Sequence, residues 1–172
     1  NIALGNASMD ALTSGACNIA IGINALGAAT DNLSNIAIGK SALAASVNDA
    51  DQNIAIGVSA LGGADVSGAT NIGIGYNVGN ALLAGESNTL LGYQSGDALT
   101  TGSSNIALGG NSLGASTTGC LNVAIGVTAM GGADTTGNSN IGIGLNAADA
   151  LTSGNTNVAV GCNALGAATT GC

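Results

Sequence analysis

Ten times along the chain a short alternation of apolar and small residues is framed by the same two residues, Asn before it and Gly after it. These pentads begin at Asn1, Asn18, Asn35, Asn53, Asn71, Asn88, Asn105, Asn122, Asn140 and Asn157, an interval of 17 or 18 residues throughout. The second and fourth positions are Ile, Leu or Val apart from Thr89, and the third is Ala or Gly apart from Leu90. Alternation over so few residues predicts a short strand with one face buried. The closing glycines (Gly5, Gly22, Gly39, Gly57, Gly75, Gly92, Gly109, Gly126, Gly144 and Gly161) predict a corner, where the backbone takes positive φ or has no room for a Cβ.

A second corner is predicted three residues before the next Asn. Gly15, Gly68, Gly85, Gly102, Gly119, Gly137, Gly154 and Gly171 stand there. Asn32, of a type that tolerates the left-handed region, holds the place in the second unit, and Ala50 breaks the rule in the third. Between the corners lies another apolar position, filled in two ways. Leu26, Leu43, Leu61, Leu113, Met130 and Leu165 occupy position nine, whereas Leu12, Leu82, Leu99 and Leu151 occupy position twelve. Two coil subtypes with slightly different second strands are expected. The units starting at Asn53 and Asn122 are near copies, and each precedes a unit opening Asn-Ile-Gly-Ile-Gly, so four units make a longer repeat of roughly 70 residues, the sixth unit being its least faithful member.

A helical solenoid needs about 30 or more residues per unit, so the period selects an all-β, parallel β-solenoid or β-roll. Residues 1–172 form one array of ten coils, each with two short strands, stacked by parallel backbone hydrogen bonds. Equivalent residues then lie above one another, and the Asn column becomes a ladder whose amides bond along the axis. At a strand spacing of ~4.8 Å the ten coils make a rod about 48 Å long. The chain opens on Asn rather than Met, which fits a segment of a longer fibre. About three buried aliphatic side chains per coil are little against the entropy of ordering a 17-residue turn. Lateral association is therefore expected, as a homotrimer in which small Ala and Gly residues allow close approach.

Composition narrows the chemistry. There is one cation, Lys40, and no His, so neither a Ser-His-Asp constellation nor a phosphate clamp can be assembled. With a net charge of −8 and no basic patch, nucleic acid is not an expected partner. No apolar run approaches the roughly 18 residues of a membrane span. Four cysteines (Cys17, Cys120, Cys162 and Cys172) show neither CxxC spacing nor His companions, so no zinc or redox site is read from them. Cys120 and Cys172 share a column three coils apart, roughly 14 Å and beyond disulfide reach within one chain. Bridges between chains are the alternative for an extracellular protein.

Units such as NTLLGYQSGDALTTGSS (Asn88 to Ser104) and NVAVGCNALGAATTGC (Asn157 to Cys172) resemble the repeats of bacteriophage tail fibres and related bacterial surface proteins. More distantly, the array is similar to the head repeats of trimeric autotransporter adhesins of the YadA type. The resemblance covers all ten units and implies a left-handed parallel β-roll, three chains about one axis, and a stiff fibre on a virion or cell surface. It departs from the adhesin heads in repeat length.

Candidate sites are few. Gly62-Gly63-Ala64-Asp65 and Gly131-Gly132-Ala133-Asp134 approach a calcium-binding roll motif but lack its second Gly-x-Asp step, and the acids fall in different columns. Solvated turns account for them, and no cofactor or metal is expected. Asp49 and Asp51 are the closest carboxylates in sequence, and a turn again explains them better than glycoside hydrolysis does. Thr and Ser cluster before the second corner, at Thr13-Ser14, Thr100-Thr101, Thr117-Thr118, Thr152-Ser153 and Thr169-Thr170. An ice-binding strip is one reading, but Val47, Asp65, Leu83 and Asp134 interrupt it, and turn chemistry suffices. Tyr76 and Tyr93, at position six of consecutive units, would stack into a ledge that either fills a groove between chains or receives a sugar. The expected function is structural and non-enzymatic, an extracellular or virion fibre shaft. The alternative is a binding module, an adhesin head recognising a carbohydrate or surface receptor.

Overall fold

The structure, a computed structural model, describes residues 1–171 and is an all-β solenoid. Its ten strands are β1 (Ile2–Leu4), β2 (Ile19–Ile21), β3 (Ile36–Ile38), β4 (Ile54–Ile56), β5 (Ile72–Ile74), β6 (Thr89–Leu91), β7 (Ile106–Leu108), β8 (Val123–Ile125), β9 (Ile141–Ile143) and β10 (Val158–Val160). They form one parallel sheet in sequence order. Each strand pairs position for position with the next, as in Ile19↔Ile36, Ala20↔Ala37 and Ile21↔Ile38. The 18-residue units keep this register, since Ile36 still faces Ile54, so the extra residue is absorbed in the return segment.

Each coil holds one regular strand, where the sequence predicted two. Beyond the Gly corner, positions seven and nine both adopt left-handed backbone (Asn24 φ 57, Leu26 φ 49), which bends the chain too sharply for a second extended segment. Hydrogen bonding between coils nevertheless continues around the return path. Asn24 N–H donates to Asn6 O at 2.9 Å, Leu26 N–H to Ala42 O at 3.0 Å and Thr30 N–H to Val47 O at 2.9 Å.

The sheet presents its faces in the opposite sense from the one that large-apolar-inside reasoning gives. Position three, the small residue, is the buried one: Ala20, Ala37, Ala55, Ala107 and Ala124 are fully enclosed. The aliphatic side chains at positions two and four point outward and are half-exposed along the central coils. The coil is so narrow that one Leu or Met from the return segment fills its interior. Even an alanine is too large where that side chain leans toward the sheet: a Cβ on Gly73 would lie 2.9 Å from Leu61 Cγ, and one on Gly142 2.9 Å from Met130 Cγ.

The two subtypes are two ways of supplying that single core side chain. Where position nine is Leu or Met, position twelve is small (Ala29, Ser46, Ala64, Ser116, Ala133 and Ala168), except in the first coil, which carries Met9 and Leu12 together. Where position twelve is Leu82, Leu99 or Leu151, position nine shrinks to Gly79, Gly96 or Ala148. Leu90, the exception in its column, is fully buried and occupies volume left by two such glycines. A Cβ on Gly79 would come within 2.9 Å of Leu90 Cδ1, and one on Gly96 within 3.0 Å of Leu90 Cδ2.

The two corners differ physically. At the first, Gly5 and its equivalents have φ of 125 to 144, which L-residues rarely adopt, and a Cβ on any but the last would run into the backbone of the next coil's glycine. Gly161, above which no described coil lies, would meet nothing within 4 Å. At the second corner Gly68, Gly85 and Gly102 have no positive φ, nor does Asn32, so the left-handed reading of Asn32 is corrected. There the requirement is space, because a Cβ would strike the carbonyl of the next coil. In the second and third coils, where Gly is missing from this corner, Asn32 Oδ1 and Ser46 Oγ are buried without partners.

Candidate functional site

Three features of the surface and the ladder bear on function, and all follow from the coil geometry. The first is the Asn column. Each of the ten side-chain amides donates to the carbonyl at the second corner, as in Asn88 Nδ2 to Gly102 O at 2.9 Å and Asn105 Nδ2 to Gly119 O at 2.8 Å. Each Oδ1 below the top of the stack accepts the backbone N–H of the next Asn, for example Asn105 N–H to Asn88 Oδ1 at 3.0 Å. Several amides also bond directly to the neighbouring Oδ1, such as Asn88 Nδ2 to Asn71 Oδ1 at 3.0 Å. From Asn18 to Asn140 these side chains are buried, so the ladder is an internal spine. Its chemistry is structural, joining both walls of every coil and each coil to the next.

The second feature is the outer face of the sheet. Positions two and four make two parallel columns of Ile, Val and Leu, and position six adds Ile23, Val58, Tyr76, Tyr93, Val127 and Leu145, all exposed. Every one of the nine acidic residues lies elsewhere, in the return segment from position ten to the end of each unit: Asp10, Asp31, Asp49, Asp51, Asp65, Glu86, Asp97, Asp134 and Asp149. Lys40 is the only charged side chain on the apolar face. The rod is therefore amphipathic along its length. The two sheet columns alone make a strip of about 48 Å by 10 Å, some 500 Å² of contiguous apolar surface, at the upper end of what monomers expose. The small residues invoked above for close approach between chains are instead inside the coil.

The third feature is the tyrosine pair. Tyr76 and Tyr93 stack with ring centroids 5.5 Å apart and planes 7° from parallel. Their column is pinned by the ladder, with Gln94 N–H donating to Tyr76 O at 3.0 Å and Asn111 N–H to Tyr93 O at 2.9 Å. Both rings are more than half exposed (54% and 56%).

The remaining polar residues do local work. Thr13 Oγ1 donates to Thr30 O at 3.0 Å, Thr100 Oγ1 to Thr117 O at 2.9 Å and Thr152 Oγ1 to Thr169 O at 2.8 Å, so these hydroxyl protons are spent on the next coil. Where an 18-residue coil interrupts the carbonyl ladder, an acid substitutes for the missing acceptor. Asp51 Oδ1 takes the Leu33 N–H at 2.7 Å, Asp65 Oδ1 the Val47 N–H at 2.7 Å, and Asp134 Oδ1 the Thr117 N–H at 2.9 Å. Sequence reasoning read these acids as solvated turns and had no sight of this patching role. Its visible signal was the coincidence of Asp with the longer units. Among the described residues no three His, Cys, Asp or Glu converge as a metal site would require. Cys17, Cys120 and Cys162 are free thiols, while Cys172 lies outside the described residues.

Burial pushes the Asp97 carboxyl above its ordinary range, against backbone hydrogen bonds at Asp97 and Ala98 that lower it. Compared with family models, with curated proteins and with solved structures, the chain matches none.

Proposed function

We propose that this chain is a non-enzymatic shaft segment of an extracellular or virion-surface fibre, in which copies of the solenoid associate laterally through their outer sheet faces as a homotrimer. The observation that carries the reading is the segregation of charge. A strip of Ile, Val and Leu, interrupted only at Thr89, runs along the rod, and all nine carboxylates are kept off it. Such a strip is costly to leave in water and lowers its free energy when two copies cover one another. Sheet edges exist only at the ends of the stack, so the sides associate through side chains. The number three rests on the resemblance to tail-fibre and autotransporter repeats; the face itself requires only that copies meet.

A rod held by an axial ladder on every residue of its strands suits a part that transmits position. With one cation and no imidazole, scattered carboxylates are its main groups for acid–base chemistry. The test is to charge the face: Ile38→Glu together with Ile125→Glu, both outward at position four, is expected to convert the assembly to single chains without changing the β signal in circular dichroism. An assembly unaffected by both changes contradicts this use of the face.

A second reading, a module that recognises a surface, is favoured by the exposed tyrosine pair alone.

A further inference from the structure

We infer that Tyr93 and the notch beside it form a stacking site for one uncharged pyranose ring. The inference rests on the second reading above and goes beyond it by placing the ligand in the notch at Gly110 and restricting it to one uncharged ring. Within the stacked pair one face of each ring covers the other, which leaves the far face of Tyr93 turned toward the seventh coil. There the column holds Gly110, and a Cβ at that position would meet nothing nearer than Tyr93 O at 3.9 Å. The next side chain in the column is Val127, itself exposed. Tyr93 and Val127 are two coils apart, about 10 Å. A ring lying between two surfaces needs two contacts of roughly 3.5–4.0 Å, or about 7–8 Å. The gap therefore admits a single ring and no more.

The flanking chemistry selects a sugar. Gln94 and Asn111, which follow Tyr93 and Gly110 in the chain, carry planar amides that can donate and accept at once, the capacity that vicinal hydroxyls require. An aromatic face with a few placed amides joins an apolar body to a polar rim, as a pyranose does. Charge narrows the class. Lys40, the only cation, lies three coils from Tyr93, roughly 14 Å, and the net charge is −8, so nothing here compensates an acidic sugar. A peptide strand is disfavoured because the carbonyls of this column already accept hydrogen bonds from the next coil, as in Asn111 N–H to Tyr93 O at 2.9 Å and Thr128 N–H to Gly110 O at 2.9 Å. Gly at position 110 permits close approach of a ligand to the backbone, one of the uses of that residue.

The site is tested by saturation-transfer NMR on the intact 172-residue chain, with the methyl glycosides of glucose, galactose, mannose and N-acetylglucosamine as probes and glucuronic acid as the anionic control. The expected result is transfer to at least one neutral glycoside and none to the acid. Gly110→Val fills the notch with the side chain its column carries at Val58 and Val127, leaves both tyrosines in place and meets open space. It is expected to weaken binding at least tenfold with an unchanged thermal midpoint, and Tyr93→Ala to do the same. Binding that survives Gly110→Val and Tyr93→Ala overturns this site while leaving a recognition module in place. Absence of transfer to every neutral probe, or preference for glucuronic acid, overturns the inference outright. Sedimentation of the same samples reports the association state separately, so failure of the sugar site and failure of the fibre reading are distinguishable.

Discussion

At the residue scale, the molecule repeats a small number of non-negotiable positions. Asn88 illustrates the ladder: its amide holds the Gly102 carbonyl, and its Oδ1 takes both the backbone N–H and the Nδ2 of Asn105. Asn88→Ala orphans buried donors and an acceptor together and is expected to cost roughly 2–5 kcal/mol in urea unfolding. Asn1→Ala, at an exposed rung, is expected to cost less than about 1 kcal/mol. Equal losses at the two sites would mean that burial does not set the value of a rung. Asp97 gives a test by pH. Because its folded carboxyl binds a proton more readily than the ordinary group, it favours the folded state most at low pH, and that contribution is lost as pH rises through the folded value. Asp97→Asn should therefore raise the thermal midpoint slightly at neutral pH and leave it unchanged at about pH 3. A lowered midpoint at neutral pH would show that the charged form is stabilised.

At the scale of the element, each coil is a container for one large side chain from the return segment, joined in the sixth coil by Leu90. Leu90→Ala empties a fully buried site and is expected to cost about 2–5 kcal/mol. Combining it with Gly96→Leu and Leu99→Ala rewrites the sixth coil in the pattern of Leu26 with Ala29, and should return stability to within about 2 kcal/mol of the starting protein. Additive losses across the three changes, measured by denaturant titration, would contradict the exchange of volume between positions nine and twelve.

This scale also marks how far the sequence could be read. The coil period, the parallel register and the two corners were legible because stacking forces each residue onto its own copy, which writes the geometry into the sequence as columns. The inside and outside of the strand were not. Alternation reports that two faces differ, and the usual assumption places Ile inside; a coil this narrow leaves room only for Ala or Gly in the strand, and only for Gly where Leu61 or Met130 leans toward it. The second strand failed for a related reason. Leu26, Leu43 and Leu61 sit in left-handed backbone that such residues seldom adopt, and only the frequent Asn at position seven (Asn24, Asn77, Asn111, Asn146 and Asn163) hints at that bend. Of the candidate sites, the tyrosine stack could be anticipated from the 17-residue spacing of Tyr76 and Tyr93, whereas the notch at Gly110 is an absence in a column and carries no motif.

For the whole molecule, the consequence of this inversion is a rod with one apolar side and one acidic side. That asymmetry, more than the repeat itself, argues that the chain works alongside copies of itself, since its interior is filled by the Leu and Met side chains of its own coils while its outer aliphatic columns are half-exposed. Sedimentation equilibrium of the intact chain at micromolar concentration addresses this directly. The account predicts a single species of three times the 16.0 kDa chain mass, and a chain that sediments at 16.0 kDa would contradict it.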